Sequence, residues 1–230
     1  MNNVIIACDF SNKQRLDAFL NNFNSKNITL KIGMELFYKE GPSLIRTLKK
    51  EGYSIFLDLK LHDIPNTVEK AMMNIGELGV DIVNVHASGG IEMMKRAKRG
   101  LESVRAKTKL IAVTQLTSTD QTILEEELGI HQPINDIIMQ YALNAKEAGL
   151  DGVVCSPLEA PLIHKHCGKS FLTVTPGIRF AQNDTHDQKR IATPQYAKEL
   201  KTDYIVVGRS ITESNDPCKT YQTIKELFNE

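Results

Sequence analysis

Asp58-Leu59-Lys60-Leu61-His62-Asp63 sets two carboxylates and one ammonium within a single short segment. Groups of that kind, held close, can stabilise charge and deliver a proton. The run before it, Ser54-Ile55-Phe56-Leu57, is short and apolar and follows Gly52, which predicts a buried strand. Side chains alternate along a strand, so Asp58 and Lys60 are expected on one face near its C-terminal end. Asp63 lies just beyond, placed to cap a helix that carries Pro65 in its first turn. Ion pairs are costly to bury and strand stability does not ask for them. The segment therefore points to a functional site.

Strand-like apolar runs recur at Val4–Cys8, Thr29–Gly33, Ile55–Leu59, Ile82–Val85, Leu110–Thr114, Gly152–Cys155, Leu172–Thr175 and Tyr204–Val207. Between them lie amphipathic stretches such as Thr67–Leu78, Ile91–Val104, Ile134–Ala148 and Pro194–Leu200. Strands alternating with helices imply parallel strands joined by right-handed crossovers. Eight such units in 230 residues fit a (β/α)8 TIM barrel occupying the whole chain, 1–230, as one domain. A doubly wound open sheet is the alternative. Its glycine fingerprint belongs after the first strand, where this chain reads Cys8-Asp9-Phe10-Ser11-Asn12-Lys13 without a glycine.

In a barrel the active site lies at the C-terminal ends of the strands, with phosphate often held after strands seven and eight. Those ends carry Asp9, Lys31, the pair Asp58 and Lys60, and His86, so the first three strands would supply a ring of alternating charge. Strand seven runs into Thr175-Pro176-Gly177-Ile178-Arg179, and strand eight into Val207-Gly208-Arg209-Ser210. Glycine lets a main-chain N–H approach a phosphate, and arginine offers a planar fork of donors to its oxygens. The polar segment Phe180–Lys189 has no periodicity and reads as either a disordered stretch or a functional lid, from which Gln188 could donate to a phosphate.

Composition narrows the function classes. Lys and Arg number 28 and Asp and Glu 28, so net charge is zero and no electrostatic footprint for nucleic acid exists. No apolar run approaches a membrane span, and Met1-Asn2-Asn3 leads directly into Val4 without a signal peptide. The scattered cysteines Cys8, Cys155, Cys167 and Cys218 read as reduced thiols of a cytoplasmic protein. His164-Lys165-His166-Cys167 imitates a metal cluster but has no second ligand pair at zinc-site spacing, so it reads as a solvated helix end. Met72-Met73 and Met93-Met94 fall in helical patterns and are expected to pack on the barrel. His86 fits a satisfied rim residue or a catalytic one equally well.

The segment from Asp58 through Ile64-Pro65-Asn66-Thr67 is similar to the signature of the orotidine 5′-phosphate decarboxylase family. The likeness continues along the chain in the family's order. It takes in Asp9, Lys31 in Lys-Ile-Gly, Val85-His86-Ala87-Ser88-Gly89-Gly90, Val113-Thr114-Gln115-Leu116-Thr117-Ser118, Thr175–Arg179 and Val207–Arg209. It departs at Phe180 and Ser210, where proline more commonly follows each arginine.

The resemblance implies conversion of orotidine 5′-monophosphate to uridine 5′-monophosphate and carbon dioxide, the last step of pyrimidine nucleotide synthesis, without a cofactor or metal. Lys60 would stabilise the carbanion and give the proton, flanked by Asp58 and Asp63. Asp9 and Lys31 would hold the ribose, and Thr117 would contact the base region. Arg179, Gln188, Gly208 and Arg209 would bind the phosphate. Asp63 and Thr67 would enter the neighbouring subunit's site, making a homodimer. Two other readings stay open: a sister enzyme acting on a sugar-phosphate keto acid with magnesium, and a non-catalytic phosphate-ligand sensor.

Overall fold

The computed structural model describes residues 2–179 and 192–229. Among these, eight parallel strands close into a barrel in chain order: β1 (Val4–Ala7), β2 (Thr29–Gly33), β3 (Ser54–Leu61), β4 (Ile82–His86), β5 (Lys109–Val113), β6 (Gly152–Val154), β7 (Leu172–Thr175) and β8 (Tyr204–Val207). Closure is made by β1 against β8, with Val4 beside Ile205 and Ile6 beside Val207. The (β/α)8 expectation holds, and strand positions agree with the sequence reading to within a residue or two at each end.

Around the barrel lie α1 (Lys13–Leu20), α2 (Met34–Lys50), α3 (Pro65–Gly76), α4 (Gly90–Ser103), α5 (Ile134–Glu147), α6 (Ala160–Cys167), α7 (Pro194–Glu199), α8 (Arg209–Thr212) and α9 (Pro217–Asn229). Strand alternation divides the apolar residues into two sets. One set, Ile5, Phe56, Ile82, Ile111, Val174 and Val206 among others, fills the barrel interior. The other, including Ile6, Ile55, Leu57, Leu59, Val83 and Val85, faces the helices. Met72, Met93 and Met94 are fully buried there, as expected, whereas Met73 is 37% exposed and does not pack on the barrel.

The N-terminal end of the barrel is closed by a recurring turn. Gly79, Gly149 and Lys201 each take a left-handed φ (69°, 79° and 60°), and each is followed two residues later by an aspartate. Asp81 accepts the main-chain N–H of Ile55 at 2.7 Å, Asp151 that of Leu110 at 2.8 Å, and Asp203 that of Thr173 at 2.8 Å. Each carboxylate, standing just before an even-numbered strand, satisfies the N–H of the second residue of the odd-numbered strand beside it. Asp203 also pairs with His164 Nε2 at 3.1 Å. Residues 164–167 do end a helix, and Lys165 and His166 are exposed as a solvated end requires, but His164 is a half-buried structural partner and Cys167 packs in the core, which corrects that reading for these two.

Helices α3 and α4 lie unusually close. A Cβ at Gly100 would sit 2.3 Å from the Glu69 carbonyl oxygen, and one at Gly76 would sit 2.7 Å from Val104. Only glycine permits that approach. Glu69 bridges the two helices further, with Arg96 Nε at 3.0 Å and Arg99 Nε at 3.3 Å.

Candidate active site

A cavity of about 330 Å³ opens at the C-terminal mouth of the barrel. Asp9, Lys31, Asp58, Lys60, Thr117, Arg179, Gly208 and Arg209 all line it. Eight residues from six widely separated segments thus converge as the strand-end argument requires.

The charged residues form a continuous chain. Asp9 Oδ1 is 2.9 Å from Lys31 Nζ, Lys31 Nζ is 3.4 Å from Asp58 Oδ2, and Asp58 Oδ1 is 2.7 Å from Lys60 Nζ. Gly33 makes room for its first link, since a Cβ there would lie 3.2 Å from Asp9 Oδ1 and 3.3 Å from Lys31 Nζ. Burial alone would push the Asp58 carboxyl up. The ammonium groups of Lys31 and Lys60, with hydrogen bonds from Lys60 and Asn84, outweigh it and hold this acid below the ordinary carboxylate range. Burial likewise works against the Lys31 ammonium, but Asp58 and Asp9 more than compensate and raise its pKa. Asp58 and Lys31 therefore both stay charged at neutral pH.

The backbone that presents Lys60 is not a regular strand. Leu57 pairs with Val83 and Leu61 with Val85, so the register between β3 and β4 slips across Asp58-Leu59-Lys60. Lys60 takes a left-handed φ of 50°, uncommon for a residue with a side chain. Asp58 and Lys60 do share the cavity face, but on a bulge rather than by plain alternation.

Sequence reasoning missed Asn84, whose side chain is completely buried in β4. Its amide donates to Asp58 Oδ1 at 2.7 Å, and its carbonyl oxygen accepts the main-chain N–H of Lys60 at 2.8 Å. The signal available was a polar residue at the centre of the otherwise apolar run Ile82-Val83-Asn84-Val85. Gln115, buried on the cavity wall, carries the same kind of signal.

Asp63 and Thr67 are exposed and do not line the cavity. Asp63 is not a helix cap either. Pro65 occupies the first turn of α3 and forces Ile64 into extended backbone (φ −58°, ψ 149°), so Ile64 is the cap residue. Asp63 instead accepts the N–H of Ile64 at 2.6 Å. His86 stacks on His62 with ring centroids 5.8 Å apart, and its Nδ1 lies 2.9 Å from Ser88 Oγ. Burial, then the neighbouring His62 and Lys60, lower the His86 pKa.

At the far side of the cavity, Gly177 turns the chain out of β7 with a φ of 82°, and Arg179 follows, buried. Gly208 leaves β8 directly into α8, which Arg209 opens. Gln188 and the segment Phe180–Lys189 lie outside the described residues. Among the described residues no three His, Cys, Asp or Glu converge as a ligand set for a metal ion.

A closed (β/α)8 barrel with a charged pocket at its C-terminal mouth is the class that fold and site define. Residues 2–224 match the model of the orotidine 5′-phosphate decarboxylase / HUMPS family, and the chain belongs to that family. It is 53% identical over 229 residues to the orotidine 5′-phosphate decarboxylases of Bacillus mycoides and Bacillus cereus, covering 98% of this chain and 96% of each relative. Among solved structures, the orotidine 5′-phosphate decarboxylase of Lactobacillus acidophilus superposes with a TM-score of 0.91 at 42% identity, covering 100% of both chains. An uncharacterized conserved protein from Geobacillus kaustophilus gives 0.88 at 46% identity, covering 98% of this chain and 100% of that one.

Proposed function

We propose that this protein decarboxylates orotidine 5′-monophosphate to uridine 5′-monophosphate, with Lys60 as the acid. The observation that carries the reading is the unbroken Asp9–Lys31–Asp58–Lys60 chain along one wall of the pocket. Breaking the bond between pyrimidine C6 and the carboxylate leaves its electron pair on C6, and carbon dioxide departs neutral. No adjacent group accepts that pair by resonance, so the site must answer it electrostatically. The Lys60 ammonium lies where it can stabilise the developing charge and then transfer its proton to C6, after which solvent restores it. Asp58, 2.7 Å from the Lys60 Nζ, orients that lysine, and its own negative charge would face the departing carboxylate.

Asp9 and Lys31 serve the ribose, and Thr117 the base region. Arg179, Gly208 and Arg209, joined by Gln188, take the phosphate. Grip on a remote phosphate can be used to organise the reacting end. The exposed Asp63 and Thr67, beside an Ile64 that is 66% exposed, suit a partner's site better than their own. The working unit is accordingly a C2 homodimer. No described helix is long and apolar enough to cross a membrane. The four cysteines, none of them in a disulfide and three of them buried, suit a cytoplasmic protein.

The test is a spectrophotometric assay with orotidine 5′-monophosphate before and after exhaustive chelation. Equal turnover in both supports the proposal. No turnover with or without added magnesium would overturn it and favour a sugar-phosphate keto acid as substrate, whereas turnover restored only by magnesium would overturn the metal-free chemistry.

A further inference from the structure

We propose that Asn84 is the positioning residue of this site, fixing the Lys60 main chain and the Asp58 carboxylate to each other through one amide. The inference rests on the decarboxylase reading and adds to it a residue outside the pocket wall. Three observations converge. Asn84 is completely inaccessible to solvent in β4, so its polar atoms must be satisfied internally. Both are satisfied by the charged centre, Nδ2 by Asp58 Oδ1 at 2.7 Å and Oδ1 by the Lys60 N–H at 2.8 Å. Moreover, the contact falls where the β3–β4 register slips and Lys60 adopts φ 50°.

A slipped register removes the ladder carbonyl that would otherwise receive the Lys60 N–H. The Asn84 side chain stands in for it and lets the backbone remain left-handed, a conformation that persists only when its surroundings over-determine it. The same amide occupies one lone pair of Asp58 Oδ1 while Lys60 Nζ occupies another at 2.7 Å. The amide plane thereby sets the carboxylate's rotation, and with it the place of the ammonium. Aspartate at this position would lose the donor, and a hydrophobic residue would lose both contacts. Asn84 does not line the cavity, so its effect on bound substrate passes through Lys60 and Asp58.

Asn84→Leu keeps the bulk and deletes both hydrogen bonds. It should lower kcat by about 10- to 100-fold, the scale of a small misplacement of a reacting group, with KM nearly unchanged. Asp58 is faced by Lys31 from β2, Lys60 from β3 and Asn84 from β4, with Asp9 beyond Lys31. Removing the neutral donor disfavours its ionised form, so the acid limb of the kcat profile should move to higher pH. Asn84→Asp supplies the contrast. Ionised, it repels Asp58; holding one proton between the two carboxylates, it again donates to one and accepts from Lys60. Its relative activity should therefore rise as pH falls from 8 towards 6, about the range in which a carboxyl crowded by a like charge takes up a proton.

Wild-type and variant proteins would be compared by thermal melting, KM, kcat and the pH profile of kcat. Folded variants with wild-type kcat, or with reduced kcat and unshifted profiles, would overturn the proposal, as would variants that fail to fold, since Asn84 would then serve stability. A wild-type protein inactive on orotidine 5′-monophosphate would instead defeat the activity reading itself.

Discussion

At the N-terminal end of the barrel, Asp81, Asp151 and Asp203 accept main-chain N–H groups of the neighbouring strands. At the C-terminal end, Asp9 and Asp58 turn their oxygens to Lys31 and Lys60. The residue type is the same at both ends, but what the three N-terminal carboxylates share is a main-chain donor, to which Asp81 adds Lys49 Nζ at 2.6 Å and Asp203 adds His164 Nε2 at 3.1 Å. A carboxylate on a backbone N–H satisfies an obligatory donor and so contributes to folding. A carboxylate on a lysine inside a pocket must first overcome the desolvation of both ions and has little net stability to offer. In a barrel of this class the bottom holds the fold and the top holds the chemistry.

The sharpest way to break the contrast is at Lys60. Lys60→Ala should reduce turnover by about 10⁴-fold or more, because in the proposed mechanism it removes both the proton donor and the charge that stabilises the carbanion. Its melting temperature should stay close to that of the wild type, because the loss falls at the top. Near-normal turnover in purified protein would end the assignment.

Mixed dimers sharpen the same point for Asp63. Lys60→Ala and Asp63→Ala chains should each be nearly inactive alone. Co-refolded in equal amounts, half the dimers would be mixed and carry one intact site, restoring about a quarter of wild-type activity under C2 pairing. Confirmed mixed dimers without recovery would place Asp63 in its own chain's site.

A third test weakens the top without touching the reacting centre. Arg209→Ala should cost on the order of 10²-fold with the phosphorylated substrate and far less with the nucleoside orotidine. Equal losses for both would remove Arg209 from the phosphate site.

The smallest effect on turnover is expected at the bottom. Asp203→Ala leaves the Thr173 N–H and His164 without their acceptor and should cost about 1–3 kcal/mol of stability. At this size that is about 2–4 °C of Tm per kcal/mol, with kcat and KM unchanged. A large fall in kcat with an unchanged Tm would erase the distinction between the two ends.

How far the sequence could be read follows the same division. Continuous apolar runs and helical stretches are enough for the barrel, because burial on both sides of each strand writes itself into residue type. Strand-end charges were legible because an ion has little business on a core strand. The N-terminal turns were not: Gly79-Val80-Asp81, Gly149-Leu150-Asp151 and Lys201-Thr202-Asp203 share a geometry that Lys201 disguises where glycine would have announced it. Asn84 escaped because one polar residue in an apolar run carries no partner information. Asp63 imitates a helix cap by residue type, but Pro65 holds Ile64 extended and moves the cap one residue on.

The close packing of α3 on α4 has a mechanical consequence. The loop entering α3 carries His62 and Asp63, while β4 ends in His86 and the turn from it into α4 carries Ser88. With Gly76 and Gly100 stripped of side chains and Glu69 gripping both Arg96 and Arg99, the two helices act as one splint. A push on Asp63 from outside would meet stiffness rather than slack. It would tilt the splint as a unit, carry the His62–His86 stack with it, and bear on β4 two residues from Asn84.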